Sequence, residues 1–387
     1  MLQLLRNADL YDPEHVGRAH LLVARESIVW VGASVPAFPG ALGVREYDLE
    51  GRRLIPGLID SHVHLTGGGG EAGPNTRVPP LGLSQLTAGG VTTAIGVLGT
   101  DDTVRSTAEL VTTARGLIAE GMSAYCHTGG YHLPPVTITG SVRGDIVLVD
   151  LILGVGELAI SDHRSSQPTL AELLRIAGDA HVGGLMAGKP GIVHLHVGGG
   201  SRGLELVRQA LDQSELPAAV FNPTHVNRRK ALFEEALALA ERGCTIDITA
   251  FPVEEGEDAW SAAEALTRYL ERGLPDERVT ISSDGGGCFP SFDRDGRVVG
   301  FDIGSPGALA VALKELLACG QPLERILPAF TSNPARLLML PRKGRIAAGS
   351  DADLVVLDDD GRVQDVMARG RWHIREGRPL VQGTFEA

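Results

Sequence analysis

Residues 55–65 read Ile55-Pro56-Gly57-Leu58-Ile59-Asp60-Ser61-His62-Val63-His64-Leu65. A turn-forming Pro-Gly pair opens a short apolar run, and the run closes on two histidines one residue apart. Side chains alternate faces along a strand, so His62 and His64 project to the same side and both imidazoles can reach one ion. Taken alone, such a pair is more often packing than a ligand, and its meaning depends on the rest of the chain.

The same grammar recurs downstream. Seven more strand-like apolar runs occupy residues 90–98, 122–130, 156–164, 192–200, 217–226, 244–251 and 278–286. Between them lie stretches with apolar residues at helical spacing, among them 107–121, 169–180, 204–213, 229–243 and 262–273. Eight strand-then-helix units in under about three hundred residues is the size and order of a (β/α)8 TIM-type barrel. A doubly wound open sheet is the rival, but no acidic residue stands about 20 residues beyond the glycines that follow the first strand, where a dinucleotide-binding unit needs one. Later strands also end in ligand-type residues: His194-Leu195-His196, Thr224-His225 and Ser283-Asp284-Gly285. Barrel strands deliver their C-terminal residues to one mouth, so this recurrence points to a metal site. Imidazole and carboxylate suit zinc and its transition-series neighbours, and the lack of clustered cysteines favours a catalytic over a structural ion.

Both ends of the chain differ from this middle. Residues 1–56 and 343–387 read as short strands broken by Gly, Pro and Asp-Asp turns, and neither end makes a convincing core alone. They are expected to meet as one small composite β-sandwich domain beside a catalytic barrel spanning 57–342. The chain has 387 residues, 43% hydrophobic and 21% charged, which excludes a disordered tail or a fibre. Its 35 basic and 48 acidic side chains leave a formal charge of −13, which disfavours nucleic acid or anionic lipid as partners. No apolar stretch approaches the ~20 residues of a membrane span, and the first residues lack a signal-peptide pattern. Four isolated cysteines suggest reduced thiols, and a cytoplasmic location is expected.

Beyond these patterns, Gly67 to Pro74 with its central Glu71, Gly99-Thr100-Asp101, Gly130-Tyr131-His132, Thr137 to Ser141, Ser161-Asp162-His163-Arg164 and Pro223 to Arg228 stand in one order along the chain. Together with the strand-end residues, this series resembles the β-aspartyl (isoaspartyl) dipeptidase family of the amidohydrolase superfamily over nearly the whole length. The resemblance implies two divalent metal ions, zinc first among them. His62, His64 and Asp284 would hold one and His196 and His225 the other. His194 shares the parity of His196 and is read as an inward histidine one layer lower, and His163 is given no metal. The activity implied is hydrolysis of the amide bond of β-aspartyl dipeptides by a water held between the metals. Asp284 would shuttle the proton to the leaving amine, and Tyr131 would support the oxyanion. Glu71 would meet the substrate ammonium, Arg164 and Arg228 its carboxylates, and Gly99 and Thr100 would add contacts. A small dipeptide is thus the expected partner, and a homo-oligomer the expected assembly.

Two positions depart from that family. Its bridging ligand is usually a carboxylated lysine, but the four lysines here (Lys189, Lys230, Lys314, Lys343) all lie off the fourth strand, where Glu157 stands. A carbamate and a glutamate both offer one charge and two oxygens, so Glu157 can bridge two cations. Its shorter side chain requires the strand to approach the metals, and Gly154-Val155-Gly156-Glu157 is expected to bulge. If Glu157 instead neutralised an arginine, one metal would remain. Cys288 replaces a substrate-contacting serine with a weaker donor, which implies weaker binding or an altered side-chain preference. Two other readings stand beside the dipeptidase: hydrolysis of a cyclic amide or N-acyl amino acid, where Glu71 would have no ammonium to meet, and a barrel that has lost catalysis.

Overall fold

The computed structural model describes residues 2–292 and 297–386. The chain opens with β1 (Leu2–Asp12), β2 (Glu14–Ala24), β3 (Ser27–Gly32), β4 (Arg45–Asp48) and β5 (Arg53–Pro56). Eight strands come next: β6 (Leu58–Val63), β7 (Val91–Gly96), β8 (Ser123–Thr128), β9 (Ile152–Ile160), β10 (Ile192–Val197), β11 (Phe221–Thr224), β12 (Ile246–Thr249) and β13 (Val279–Ser282). A hairpin, β14 (Cys288–Phe292) and β15 (Val298–Ile303), precedes the helices Ala308–Ala318, Leu323–Ile326 and Ser332–Leu337, and β16 (Leu354–Leu357), β17 (Val363–Ala368), β18 (Arg371–Arg375) and β19 (Arg378–Pro379) end the chain.

β6 to β11 form a parallel six-stranded sheet and β12 with β13 a parallel pair. A parallel bridge between Val63 and Gly285 and a hydrogen bond from the His64 amide to the Gly285 carbonyl (2.8 Å) bring the end of β13 back to β6. On the other side, the Asn227 side chain imitates a neighbouring strand: its amide group donates to the Thr249 carbonyl (3.0 Å) and its oxygen accepts from the Thr249 N–H (2.9 Å). The result is a TIM-barrel-like ring whose helices cover the outside, each of the eight sequence runs supplying one strand.

Alternation decides what faces the inside. In β10, Val193, Leu195 and Val197 belong to the apolar cluster packed against the helices, which turns His194 and His196 the other way. In β12 the same split places Ile246 and Ile248 outward and Asp247 and Thr249 inward. β9 breaks the rule once. Its pairing with β10 runs Val193 with Val155 and then Leu195 with Leu158, so β9 carries one extra residue at Gly156-Glu157, the bulge expected there. Outward positions accordingly switch from 155 to 158 and 160, and Glu157 turns inward. Gly156 is required at this point: its φ is +150°, and a Cβ would lie 2.5 Å from the His194 carbonyl oxygen.

The strands from both chain ends share one nine-stranded sheet, ordered β19-β18-β17-β16-β5-β1-β2-β3 with β4 on β1. Its join is β5, which pairs antiparallel with β16 and parallel with β1 before Gly57 leads directly into β6. A separate apolar cluster, including Leu5, Leu21, Ile28, Leu54, Leu354 and Met367, packs on this sheet.

Candidate metal centre

His62 lies near the end of β6, with His64 just past it; His196 is in β10, His225 comes directly after β11, Glu157 is on the β9 bulge, and Asp284 lies just beyond β13. All six are buried to 5% exposure or less. His225 and Asp284 have positive φ (61° and 52°), left-handed conformations uncommon for residues other than glycine. Such geometry concentrates at functional sites, where the surrounding structure imposes it.

The two oxygens of Glu157 face different histidines. Oε1 is 3.6 Å from His62 Nε2 and 3.4 Å from His64 Nε2. Oε2 is 3.0 Å from His196 Nδ1 and 3.4 Å from His225 Nε2. Asp284 Oδ1 completes the first side, 3.0 Å from His64 Nε2 and 3.5 Å from His62 Nε2, and its Oδ2 is 3.9 Å from His225 Nδ1. Two triads of potential ligand atoms result, His62-His64-Asp284 and His62-Glu157-His225, each spanning no more than 4.8 Å. His196 is outside both triads but reaches Glu157 directly.

Electrostatics fit a cation. Burial alone would push both carboxyls up, yet His62 and His196 hold Glu157 well below the carboxylate range, and the histidines around Asp284 do the same to it. Among the described residues, His62 Nε2 and Asp284 Oδ1 are buried without a hydrogen bond, although both are strong polar atoms. Ligand-type atoms left without partners at the centre of a buried His and carboxylate set are the condition a bound divalent ion would satisfy.

The surrounding cavity, about 760 Å³, is lined by residues that include Glu71, Thr100, Tyr131, Arg164, Arg228 and Cys288, so every residue expected to contact substrate reaches one space. The Tyr131 hydroxyl is 2.8 Å from His196 Nδ1. Burial and the Glu157 charge push its pKa far up, so it is a proton-bearing hydroxyl at neutral pH. Gly99 cannot be replaced cheaply, because a Cβ there would sit 2.8 Å from the His64 ring. The arginines differ. The Arg228 guanidinium has no hydrogen-bond or ion-pair partner among the described residues, whereas the Arg164 fork is engaged by protein carboxylates: Nε and Nη2 on Asp162 (3.1 and 2.8 Å) and Nη1 on Glu71 (3.0 Å). Thr100 donates to Glu71 Oε1 (3.1 Å), and Glu71 Oε2 is buried without a hydrogen bond among the described residues. Cys288 is half-buried, and burial pushes its thiol up to about 11.

Asp162, Thr249 and Asn222 reach the site without having been assigned a part from sequence, and His194 joins them. Asp162 accepts from His196 Nε2 (3.0 Å) as well as from Arg164, tying a ligand candidate to a substrate-side guanidinium. Thr249 Oγ1 lies 2.7 Å from His225 Nδ1. His194 does sit inward, below the centre, and also touches His62 (2.7 Å), with Asn222 behind it (2.6 Å). The alternation of β10 and β12 signals which of these face inward, but their partners come from other strands. His163 is largely exposed and near Asp162 (3.7 Å), away from the ligand cluster.

The amidohydrolase family matches residues 53–373, and the chain belongs to it. Within that family it is β-aspartyl-dipeptidase-like, a hydrolase. The β-aspartyl dipeptidase of the thermophilic keratin-degrading Fervidobacterium islandicum AW-1, solved in complex with β-Asp-Leu, is 43% identical over 100% of both chains with a TM-score of 0.92. More distant relatives include an imidazolonepropionase of Anaeromyxobacter dehalogenans, 27% identical over 87% of this chain and 83% of its own length. A dihydroorotase of Halobacterium salinarum is 24% identical over 86% of each. Family membership agrees with the His, Asp and Glu groups able to hold metal, and with a small-molecule substrate. Among the described residues no helix is long and apolar enough to cross a membrane.

Proposed function

We propose that this protein hydrolyses β-aspartyl dipeptides to aspartate and an amino acid, using two divalent metal ions, zinc first. The observation that carries the reading is Glu157, whose two oxygens face opposite histidine pairs. His62, His64 and Asp284 would hold one ion, His196 and His225 the other, with Glu157 between them. When bound, the ions supply an activated water and polarise the scissile carbonyl. Asp284 takes the proton from the attacking water and returns it to the departing amine, a task for a carboxylate kept ionised by its histidine neighbours. Tyr131 donates its hydroxyl proton as a hydrogen bond to the developing oxyanion. Glu71 takes the substrate ammonium, and Arg228 and Arg164 each take one carboxylate. Thr100 holds Glu71 in place, and Cys288 lines the side of the cavity near Glu71.

The same proposal includes a composite β-sandwich domain made of residues 1–56 and 343–387 around a 57–342 barrel, supported by the pairing of β5 with β16. It includes a homo-oligomer and a cytoplasmic location, the latter supported by four cysteines that are all free thiols. The test is metal content per chain together with aspartate release from β-Asp-Leu, α-Asp-Leu and N-acetyl-β-Asp-Leu. Two ions and turnover of the free-amine β-linked peptide alone are expected. Two ions with no turnover of it would move the substrate to another amide, such as a cyclic amide or an N-acyl amino acid. One ion or none, with no turnover at all, would overturn the bridging reading.

A further inference from the structure

His194 and Asn222 lie beneath the candidate metal centre, fully buried, and touch no part of the substrate cavity. Their hydrogen bonds run in one line. The Thr245 carbonyl can only accept, so the Asn222 amide group 2.7 Å away must be its NH2, and the Asn222 oxygen therefore faces His194. That oxygen can only accept, so His194 Nδ1, 2.6 Å away, carries a proton. His194 Nε2 is 2.7 Å from His62 Nδ1. If Nε2 also carried a proton, His194 would be a fully buried imidazolium to which no carboxylate hydrogen-bonds among the described residues, an expensive state. His194 Nε2 is therefore the acceptor and His62 Nδ1 the donor. The only remaining place for the lone pair of a neutral His62 is Nε2, the buried atom without a hydrogen bond that faces Asp284 and Glu157.

We infer that His194 and Asn222 are positioning residues that set the tautomer of His62, so that Nε2 is presented as a ready metal ligand. The inference rests on the metal-centre reading. Two other ligand candidates are held from behind by oxygen partners, Thr249 behind His225 and Asp162 behind His196, where the Tyr131 hydroxyl also lies 3.2 Å from Nε2. His62 is instead oriented through a second imidazole, and the order is carried across β6, β10 and β11 to the backbone just before β12. Partners behind ligating histidines fix ring orientation and typically govern metal affinity by about 10–100-fold.

The experiment is zinc binding by competition with a chelator, with metal per chain counted by mass spectrometry, for the wild-type chain, His194→Leu, Asn222→Leu and His194→Gln. Both leucine variants should lose about 10–100-fold in affinity for one ion. His194→Gln, whose amide oxygen can accept from His62 Nδ1, should recover part of that loss, which a purely space-filling role would not produce. Thermal unfolding of the metal-free proteins establishes that the variants are folded. A folded His194→Leu that binds both ions with wild-type affinity overturns the inference. Should the leucine variants not fold, nitrogen-15 NMR of the histidine-labelled wild-type chain decides: a proton on Nδ1 alone is expected at His194, and protons on both nitrogens overturn it. A wild-type chain that takes up no metal overturns the metal-centre reading itself, and is seen before any variant is compared.

Discussion

Replacing Arg164 by Met tests how the cavity manages its own charge. The Arg164 side chain is 13% exposed and lies between two carboxylates, Asp162 at 2.8 Å and Glu71 at 3.0 Å, which are themselves 5% and 9% exposed. Met keeps most of the volume and removes the only cation hydrogen-bonded to Glu71 among the described residues. Removing one partner of a buried ion pair costs about 3–5 kcal/mol, because the other charge stays buried and uncompensated. With an unfolding entropy of about 2.1 cal/mol/K for each residue, that cost lowers the Tm of a chain this long by about 4–6 °C. Thermal unfolding followed by circular dichroism, on protein freed of metal, measures it.

Burial pushes the Asp162 carboxyl up, but His196 and Arg164 outweigh it and hold the group far below the ordinary carboxylate range. A depressed folded pKa gives stability that is present above the unfolded value, about 4, and lost as pH falls through the folded one. Without Arg164 the folded value rises, and the variant relieves its unpaired carboxylate by protonation in mild acid. The Tm gap between wild type and variant should be full at pH 7 and narrow towards pH 4. Adding Glu71→Gln to the Arg164→Met chain should return part of the lost stability. A Tm within about 1 °C of wild type, or a gap that widens on acidification, would refute the account.

The same geometry supports three further expectations. Glu157→Gln keeps the shape but not the charge shared between the histidine pairs; metal analysis should find at most one ion per chain and kcat/KM should fall by more than about 100-fold, the upper end for outer-shell partners. Unchanged stoichiometry would remove Glu157 from the bridge. Tyr131→Phe should lower kcat by about 10²–10³-fold with KM nearly unchanged, and a rise confined to KM would make Tyr131 a binding residue only. Iodoacetamide at pH 7.5 should label exposed Cys319 well before Cys288, whose thiol is pushed up to about 11, and should reach Cys126 and Cys244, both near 12, only on unfolding. Peptide mass mapping over time reads the order, and early labelling of Cys288 would contradict its protonated state.

Much of this protein is legible along the chain because the signals are local. Strand periodicity and glycine punctuation depend on neighbours a few residues away, so the eight strand runs and the helices between them can be read in order. The same parity places His62 with His64 and turns His194 and His196 inward together. The bulge at Gly154–Glu157 is expected from the short reach of a glutamate, and the pairing of β9 with β10 then places its extra residue. What parity cannot do is choose between inward residues on one strand. His194 and His196 are equivalent in sequence, and only the layering of the closed barrel sends one to Glu157 and Asp162 and the other to His62 and Asn222. The pairing of Arg164 with Glu71 has the same origin: 93 residues separate them, and sequence shows two complementary charges without showing that they meet. The division of the two Glu157 oxygens between opposite histidine pairs also exists only once β6, β9, β10 and β11 stand side by side. Residue type and spacing determine which groups can act; the ring, by bringing distant strand ends within hydrogen-bond reach and excluding water, decides which of them do.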